Sequence, residues 1–303
     1  MHPARLHAWT SARFTVPLPD GHRFPIAKYA ALRDAVIAER LVAAECLHEP
    51  ARAARDALLR VHDAAWVDAV ERGTLDPAAA RRLGFPWSTA LAERAARAVG
   101  GTLEAAGAAL THGVAINLAG GTHHAFPSHG EGFCAFNDVA VAVRALQHDG
   151  RAARAAIVDL DVHQGNGTHA IFAGDDRVFT FSMHGGRNYP FRKVPGSLDV
   201  ELDDGTGDDA YLDALARHLP SALERARADI VFYLAGADPH EGDTLGRLRL
   251  TFDGLMRRDT MVLEACRAIG LPVCITIAGG YGRDIADTVR VHCNTVRIAG
   301  RFA

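Results

Sequence analysis

Short runs of apolar residues alternate with longer amphipathic stretches along the later two thirds of the chain. The apolar runs fall at residues 114–118, 155–161, 178–183, 230–235 and 273–278. Runs of about four to eight apolar residues bounded by glycine and polar residues are typical of buried strands. Amphipathic stretches at 136–149, 209–228 and 252–269 are long enough to connect parallel strands. The pattern predicts an α/β fold: a single-domain open parallel β-sheet flanked by helices, over residues 1–303.

The first part of the chain predicts helices that cover this sheet. Residues 14–29 are rich in proline and turn formers and lead into a helix from about Ala27. The alanine-rich segment 88–112 opens on Ser88, a favourable N-cap residue, and stops before Gly113, which suits a helix C-terminus.

Composition and charge exclude several classes of function. Of the 303 residues, 49% are hydrophobic and 23% are charged, which is ordinary for a globular protein and excludes wholesale disorder. The formal net charge of −3 gives no electrostatic reason to expect direct nucleic-acid binding. The five cysteines are widely spaced and include no CxxC pair, which suits reduced thiols rather than a disulfide framework.

Two stretches bear on the location of the protein. The amino terminus lacks an apolar segment of signal-peptide length, so secretion has little support. No charged residue lies between Glu104 and Glu131, but glycine, asparagine and histidine residues interrupt that stretch, and this polarity is wrong for a bilayer core. We therefore expect a cytoplasmic protein without membrane insertion. Its oligomeric state does not follow from the sequence.

Polar and glycine residues follow each apolar run. The segments that do so are 120–124, 161–167, 184–186, 236–238 and 279–282. In open parallel sheets the ligand crevice lies at the carboxyl ends of the strands. Segments that are distant in the chain can therefore deliver their polar groups to one place.

The stretch 158–167 carries the clearest chemistry. Residues two apart on a strand project to the same face, so Asp159, Asp161 and His163 are expected to line up together. Buried carboxylates beside an imidazole need a cation or tight partners, and a divalent metal is the simplest one. A strand that ends in a solvated polar turn is the alternative that this stretch alone leaves open.

Asp161, His163 and Asp238 together form a set of two carboxylates and one imidazole. Such a set neutralises a divalent ion and leaves positions open for water and substrate, as catalytic zinc requires. Asp238 by itself has an alternative explanation as a helix cap. Borderline ligand sets accept several divalent metals, so Fe²⁺ is an alternative to Zn²⁺.

His123 and His124 are adjacent and follow two glycines. Asp159 and Asn166 are suitable partners to orient them. An aspartate partner favours a charged imidazolium, whereas an asparagine partner leaves the second histidine more readily neutral. That asymmetry suits one electrostatic and one basic histidine, although a purely structural histidine pair is the commoner case.

Three aromatic residues are candidates for contacts with a substrate. Tyr281, between two glycines, is placed to hold its phenol against a developing oxyanion. Phe133, which follows Gly132, and Tyr189 are candidates for the walls of a narrow apolar channel. For each of the three aromatic residues, packing in the core is the alternative.

Taken together, these segments resemble the histone deacetylase superfamily, and the resemblance covers most of the chain. The motifs that carry it are Gly-Gly-Thr-His-His at 120–124, Gly-Phe-Cys-Ala-Phe-Asn-Asp at 132–138, Asp-Leu-Asp-Val-His-Gln-Gly-Asn-Gly at 159–167, Gly-Ala-Asp at 236–238 and Gly-Gly-Tyr at 279–281. Residues 22–25, Lys28, Tyr29, the segment 84–87 and Gln164 look most like the class IV branch and bacterial deacetylase-like amidohydrolases.

The resemblance implies the arginase/deacetylase fold and a zinc-dependent amidohydrolase that removes acetyl or longer fatty acyl groups from acylated lysine side chains. It implies zinc ligands at Asp161, His163 and Asp238. It also implies a general base at His124, an electrostatic neighbour at His123 and a carbonyl-polarising phenol at Tyr281. A structural K⁺ beneath the zinc is a further implication, with Asp159, Asp161, His163 and Ser182 matching that site.

Two departures from the family bear on the substrate. The aspartate that grips the substrate backbone in many eukaryotic members has no clear match, and Asp76 is the nearest guess. Leu245 stands where polyamine-specific relatives carry an acidic residue. An acylated lysine in a protein or peptide is therefore the leading substrate, a small acylated amine such as an acetylpolyamine is the alternative, and a non-catalytic acyl-lysine-binding protein is the rival from another class. The Gly185–Gly186 loop leaves the acyl length open.

Overall fold

The computed structural model describes residues 5–303, and one eight-stranded sheet lies at its centre. The strands are β1 (His7–Trp9), β2 (Leu47–His48), β3 (Val114–Asn117), β4 (Ala155–Asp159), β5 (Val178–Gly185), β6 (Leu198–Leu202), β7 (Ile230–Leu234) and β8 (Val273–Thr276). Their order is β2-β1-β3-β8-β7-β4-β5-β6, and all neighbouring pairs are parallel. The predicted fold class and the five predicted strands are confirmed.

Ten α-helices are described in the same residues. They are α1 (Lys28–Ala38), α2 (Arg55–Leu59), α3 (Ala64–Arg72), α4 (Pro77–Leu83), α5 (Thr89–His112), α6 (Asp138–His148), α7 (Asn166–Phe172), α8 (Asp208–Ala226), α9 (Phe252–Ala268) and α10 (Ile285–Ala299). The Ser88 side chain caps α5, and Gly113 ends it at a φ of +88°. None of the helices within residues 5–303 is long and apolar enough to cross a membrane.

Both faces of the sheet are covered by helices, and β7 shows how the chain arranges this. Val231 and Tyr233 pack with the apolar residues of α1, α8, α9 and α10. Ile230, Phe232 and Leu234 point to the other face and pack with α5 and α6. All five β7 side chains are fully buried. A strand buried on both faces is a continuous apolar run, which is why the periodicity of the sequence marked it clearly.

Three strands and several helices were not predicted from the sequence. β1 and β2 contain only three and two residues, too few for a period to be recognised. β6 lies at the sheet edge with half-exposed side chains and includes Asp199 and Glu201, so it lacks the apolar signature of a central strand.

The prediction that strand geometry aligns Asp159, Asp161 and His163 is wrong in its mechanism, because β4 ends at Asp159. The two later residues lie in the loop that follows. There the Asp159 carboxylate accepts a hydrogen bond from the Asp161 N–H at 3.2 Å, and the Asp161 carboxylate accepts one from the His163 N–H at 2.9 Å. Two successive turns of this kind, and not the alternation of a strand, bring the three side chains together.

Candidate active site

Asp161, His163 and Asp238 meet at the carboxyl edge of the sheet, and all three are buried. Their candidate ligand atoms lie within 4.8 Å of one another. His163 Nδ1 lies 2.9 Å from Asp161 Oδ1 and 3.2 Å from Asp238 Oδ2. Burial alone would lower the pKa of His163, but the two carboxylates outweigh it and raise that pKa to about 10. The cluster thus has a strong affinity for positive charge.

The surroundings of this cluster fit a metal ion. Apart from His163 Nδ1 at 3.2 Å, the buried Asp238 Oδ2 has no hydrogen-bond partner within the described residues, although Asp238 Oδ1 accepts from the Val162 N–H at 2.9 Å. A Cβ on Gly236 would lie 2.7 Å from Asp161 Oδ2, and one on Gly279 would overlap Asp238 Oδ2. An orphaned buried carboxylate oxygen, walled by glycines that leave room, is what an oxygen- and nitrogen-binding divalent ion requires.

His123 and His124 lie beside this cluster, and each has a different partner on its Nδ1 atom. His123 Nδ1 lies 2.7 Å from Asp159 Oδ2, and His124 Nδ1 lies 2.7 Å from Asn166 Oδ1. The two imidazole rings have centroids 4.1 Å apart, and both side chains are buried. The two orienting contacts expected from the sequence are therefore present.

The unlike partners drive the two histidines to opposite protonation states. Burial disfavours a charged His123, but Asp159 and Asp161 outweigh burial and raise its pKa to about 9. For His124, burial lowers the pKa well below the ordinary value, and the positive charges of His123 and His163 lower it further. The unlike partners therefore favour the imidazolium form of His123 and the neutral form of His124.

The turn that carries both histidines is fixed by a buried carboxylate. Asp138 accepts hydrogen bonds from the N–H groups of Gly121, at 3.0 Å, and Thr122, at 2.8 Å. It also accepts from the hydroxyls of Thr122, at 2.7 Å, and Thr102, at 2.5 Å. Gly121 has a φ of +71°, and a Cβ there would lie 2.5 Å from Ala278. No role was predicted for Asp138, because its partners come from two other segments of the chain.

Tyr281 lies beside the Asp–His–Asp cluster, with its ring centroid 6.3 Å from that of His163, and lines the cavity described below. Its backbone N–H donates to Asp243 Oδ2 at 2.6 Å, which fixes the turn. Burial raises the pKa of its phenol well above 10, and the nearby Asp238 and Asp161 carboxylates raise it further. The phenol therefore keeps its proton at neutral pH and can act as a hydrogen-bond donor.

Lys28 reaches the same turn from the far end of the chain. Its buried ammonium donates to the carbonyls of Ala278 and Gly280, each at 3.3 Å, and lies 5.5 Å from the centre of the Tyr281 ring. Lys28 entered the sequence analysis only as a mark of the class IV branch. Its contact with residues 250 positions away in the chain shows that it braces the tyrosine turn.

A cavity of about 420 Å³ leads from the surface to these groups. His124, His163 and Tyr281 line its inner part, and Gly132, Phe133 and Tyr189 contribute to its walls, as do Asn188 and Leu245. Gly132 has a φ of +55°, and a Cβ there would lie 2.6 Å from His124 Cδ2, so only glycine lets the wall approach the histidine. The cavity thus joins the predicted channel residues to the predicted chemical groups.

The other residues named from the sequence have defined places. Asp76 is the N-cap of α4 and accepts from the N–H groups of Ala78 and Ala79, so it serves a helix terminus and does not line the cavity. Ser182 lies in register with Asp159 on the neighbouring strand, and its hydroxyl contacts His184 Nδ1 at 2.9 Å. The monovalent-cation site at Asp159, Asp161, His163 and Ser182 stays a prediction.

A family model and several known proteins are similar in sequence to this chain. A family model described as "Histone deacetylase domain" matches residues 22–296. An uncharacterized protein of Picosynechococcus sp. is 47% identical over 279 residues, which cover 92% of this chain and 93% of that protein. A histone deacetylase-like amidohydrolase of Pseudomonas aeruginosa is 34% identical over 175 residues, which cover 52% of this chain and 45% of that protein.

Solved structures give the same picture of the fold. The crystal structure of an HDAC homolog complexed with SAHA has a TM-score of 0.86 and 25% sequence identity, and the match covers 98% of this chain and 84% of that chain. The fold and the family match together define a protein of the arginase/deacetylase superfamily. Within that superfamily, this chain belongs to the histone deacetylase family.

Proposed function

We propose that this protein is a zinc-dependent amidohydrolase that removes acetyl or longer fatty acyl groups from acylated lysine side chains. One observation carries the proposal. Two adjacent buried histidines have unlike partners, Asp159 and Asn166, and both histidines lie beside a buried Asp–His–Asp cluster at the inner end of a cavity. A structural histidine pair needs neither the opposite protonation states nor the access to a cavity.

Asp161, His163 and Asp238 would hold the metal ion. Zn²⁺ suits two carboxylates and one imidazole with open positions, and Fe²⁺ is the alternative for the same donors. When bound, the ion supplies a Lewis acid that polarises the acyl carbonyl and acidifies a water molecule.

His124 acts as the base that takes a proton from the attacking water. Its Nδ1–H donates to Asn166 Oδ1, which leaves Nε2 as the acceptor in the neutral ring. The water oxygen bonds to the acyl carbon, the bond from that carbon to the lysine nitrogen breaks, and His124 returns the proton to the leaving amine. The products are a carboxylic acid and a lysine amine, which at neutral pH become a carboxylate and an ammonium ion by transfer of the acid proton. His123, held as an imidazolium by Asp159, stabilises the negative charge that develops nearby.

Tyr281 donates a hydrogen bond from its phenol to the acyl oxygen. The raised pKa of the phenol keeps the proton available for this contact. Gly132, Phe133 and Tyr189 enclose the aliphatic part of the lysine side chain. Phe133 and Tyr281 have ring centroids 6.0 Å apart, which is direct contact between the two rings, so Phe133 packs against the phenol ring at the base of the channel.

Several further assignments belong to the same proposal. Residues 1–303 act as one catalytic domain, because a single sheet collects strands from His7 to Thr276. The chain is assigned to the class IV branch on the motifs given above and to the cytoplasm on its free, buried cysteines. Small acylated amines are a second substrate class for the test below.

The test is hydrolysis of lysine peptides that carry acyl groups from acetyl to a long fatty chain, measured on protein loaded with a defined metal. We expect hydrolysis that a chelator abolishes. Tyr281→Phe should lower kcat by about 100-fold or more while metal content stays at the wild-type level, because the lost group is a hydrogen-bond donor in the transition state. Asp238→Ala should lower both kcat and metal content.

Three outcomes would decide against parts of the proposal. Turnover of acetylspermidine in preference to every acyl-lysine peptide would favour the small-amine alternative. Metal-loaded protein that binds acyl-lysine and hydrolyses none of the peptides would be a binding protein instead. Full metal occupancy in Asp238→Ala would remove that residue from the ligand set.

A further inference from the structure

We propose that the mouth of the active-site cavity selects acylated lysines that lie within acidic peptide segments; this inference rests on the proposed function and deepens it. Five arginines line the same cavity as His124 and Tyr281, and all five are exposed. They are Arg23, Arg81, Arg82, Arg187 and Arg247. We call this set the arginine rim.

The arginine rim is assembled from four separate segments of the chain. Arg23 comes from the loop before α1, Arg81 and Arg82 from the last turn of α4, Arg187 from the loop after β5, and Arg247 from the loop after β7. A solvated charged face of a single helix would place its charges together in sequence. Convergence from four segments concentrates positive charge around one opening, and this requires the tertiary fold.

Few carboxylates neutralise the rim. Arg187 and Arg247 share Asp204, at 3.9 and 3.0 Å. Within residues 5–303, Arg23, Arg81 and Arg82 have no carboxylate within 4.0 Å, and no Asp or Glu lines the cavity.

The nearest acidic group on the histidine side is Glu131, which is largely buried. Its carboxylate accepts from Asn166 Nδ2 at 2.7 Å and contacts His129 at 3.8 Å. The partners of the Glu131 carboxylate therefore include groups of the inner site. The mouth remains strongly positive on a chain whose formal net charge is −3.

An exposed aromatic ring lies within the same rim. Phe191 is 86% exposed, and its ring centroid lies 6.3 Å from that of Tyr189 on the cavity wall. Arginine and aromatic side chains are the residue types enriched where proteins bind other chains. The rim therefore offers guanidinium groups for carboxylates and one apolar contact beside the channel.

The shape of the site favours a peptide over a lipid surface. The arginines surround a concave opening whose inner wall is His124, His163 and Tyr281. An extended peptide can place one acyl-lysine in the opening while its neighbouring residues contact the rim on both sides. Carboxylates on that peptide are attracted, whereas a polycation such as an acylated polyamine or an arginine-rich tail is repelled.

The experiment compares three lysine peptides that carry the same acyl group and have acidic, neutral or basic flanking residues. We expect kcat/KM for the acidic peptide to exceed that for the basic peptide by about 10-fold or more at low ionic strength, chiefly through KM, because complementary charge steers association. The ratio should fall as salt is added, since exposed charges are screened over about 10 Å at 0.1 M salt.

Variants assign the preference to the rim. Arg81→Gln with Arg82→Gln should reduce the acidic-to-basic ratio by about 3-fold or more. Arg72→Gln with Arg301→Gln is the matched control, since these exposed arginines do not line the cavity, and it should leave the ratio unchanged. Equal kcat/KM for all three peptides, or a ratio that survives Arg81→Gln with Arg82→Gln, would overturn the inference.

Direct binding separates this inference from the proposed function. Fluorescence anisotropy of the three labelled peptides on the metal-loaded protein reports selection at the rim even if no peptide is hydrolysed. Flank-independent hydrolysis would leave the deacylase function standing and refute the rim. Binding to phosphatidylserine vesicles that is lost in Arg81→Gln with Arg82→Gln, together with flank-independent peptide binding, would assign the arginines to a lipid surface and also refute it.

Discussion

His123 and His124 differ by one position in the chain and by one partner in space. Asp159 and Asn166 are nearly isosteric, so the two contacts have the same length of 2.7 Å. Only the aspartate supplies a negative charge. It offsets the burial that would otherwise lower the pKa of His123, whereas nothing comparable acts on His124. A carboxylate partner thus favours the imidazolium form of His123, whereas an amide partner leaves His124 available as a base.

Replacing Asn166 by aspartate tests this separation. We expect Asn166→Asp to raise the pKa of His124, because a carboxylate now faces Nδ1, and to shift the acid limb of the pH profile of kcat/KM upward by about 1 pH unit or more. Activity at low pH falls, since the base is then protonated. The measurement is kcat/KM for an acyl-lysine peptide from pH 5 to pH 10.

Glu131 provides the control for this prediction. Its carboxylate accepts from Asn166 Nδ2, so a new aspartate would face it with like charge. Adding Glu131→Gln to Asn166→Asp removes that repulsion and should restore the fold while the shift in the acid limb persists. An acid limb at the wild-type pH in the double variant would show that Asn166 does not control His124.

At the scale of elements, helix α9 connects the two loops that carry the acidic groups of the cluster. The guanidinium of Arg258 is fully buried and donates to the carbonyl of Gly236 at 2.7 Å and to that of Leu160 at 3.3 Å. Its Nε donates to Asp259 Oδ1 at 2.9 Å. Leu160 precedes Asp161, and Gly236 precedes Asp238 by two residues. By binding both carbonyls from α9, Arg258 therefore sets the distance between these two loops.

Arg258→Lys should weaken metal binding without touching a ligand. The ammonium keeps the charge beside Asp259, but it cannot bridge both carbonyls as the planar guanidinium does. We expect a loss of about 10-fold or more in metal affinity, which is the scale for groups that support ligands. Competition with a chelating dye measures this directly. Arg257→Lys, one residue earlier on the same helix and exposed, is the control and should keep wild-type affinity.

At the scale of the whole molecule, His62 links the covering helices to the turn of the active site. His62 Nδ1 lies 3.0 Å from the Phe126 carbonyl, and its Nε2 accepts from the Asn137 N–H at 2.9 Å. This pair of contacts fits only the neutral ring, because a proton on Nε2 would meet the Asn137 N–H. Burial lowers the pKa of His62 to about 4, although the Phe126 and Pro127 carbonyls oppose that shift.

The free energy of unfolding is expected to decrease as the pH is lowered, because of His62. Below its ordinary pKa of 6.5 the unfolded histidine binds a proton that the folded one refuses until about pH 4. The unfolded state therefore binds more protons in this window, and the free energy of unfolding declines by about 3 kcal/mol as pH falls through it. Urea unfolding from pH 7.5 to pH 4.5 measures the decline.

His62→Gln isolates this contribution, since the glutamine amide can donate to Phe126 and accept from Asn137 but does not titrate. The variant should show a shallower loss of stability over the same pH range. His184, whose pKa is also lowered to about 4 by burial, contributes a part that the variant retains. An identical slope in wild type and His62→Gln would contradict the assignment.

The sequence by itself determined the central strands and the kinds of chemical groups at their ends. β4, β5, β7 and β8 are buried on both faces, so their apolar runs stand out from the polar loops that follow. Parallel strands present their carboxyl ends at one edge, and this rule alone brings Asp161, His163 and Asp238 to one region. The expectation that Asp159 and Asn166 orient the two histidines also followed from residue type.

Only the tertiary structure decided which distant groups touch. Lys28 meets Gly280, Asp138 holds the turn at Gly121, and Arg258 bridges two loops. Such contacts depend on how helices pack over the sheet, and no local period encodes them. The arginine rim is the clearest case, because its four segments have no common pattern and their charges acquire meaning only when the fold gathers them around one opening.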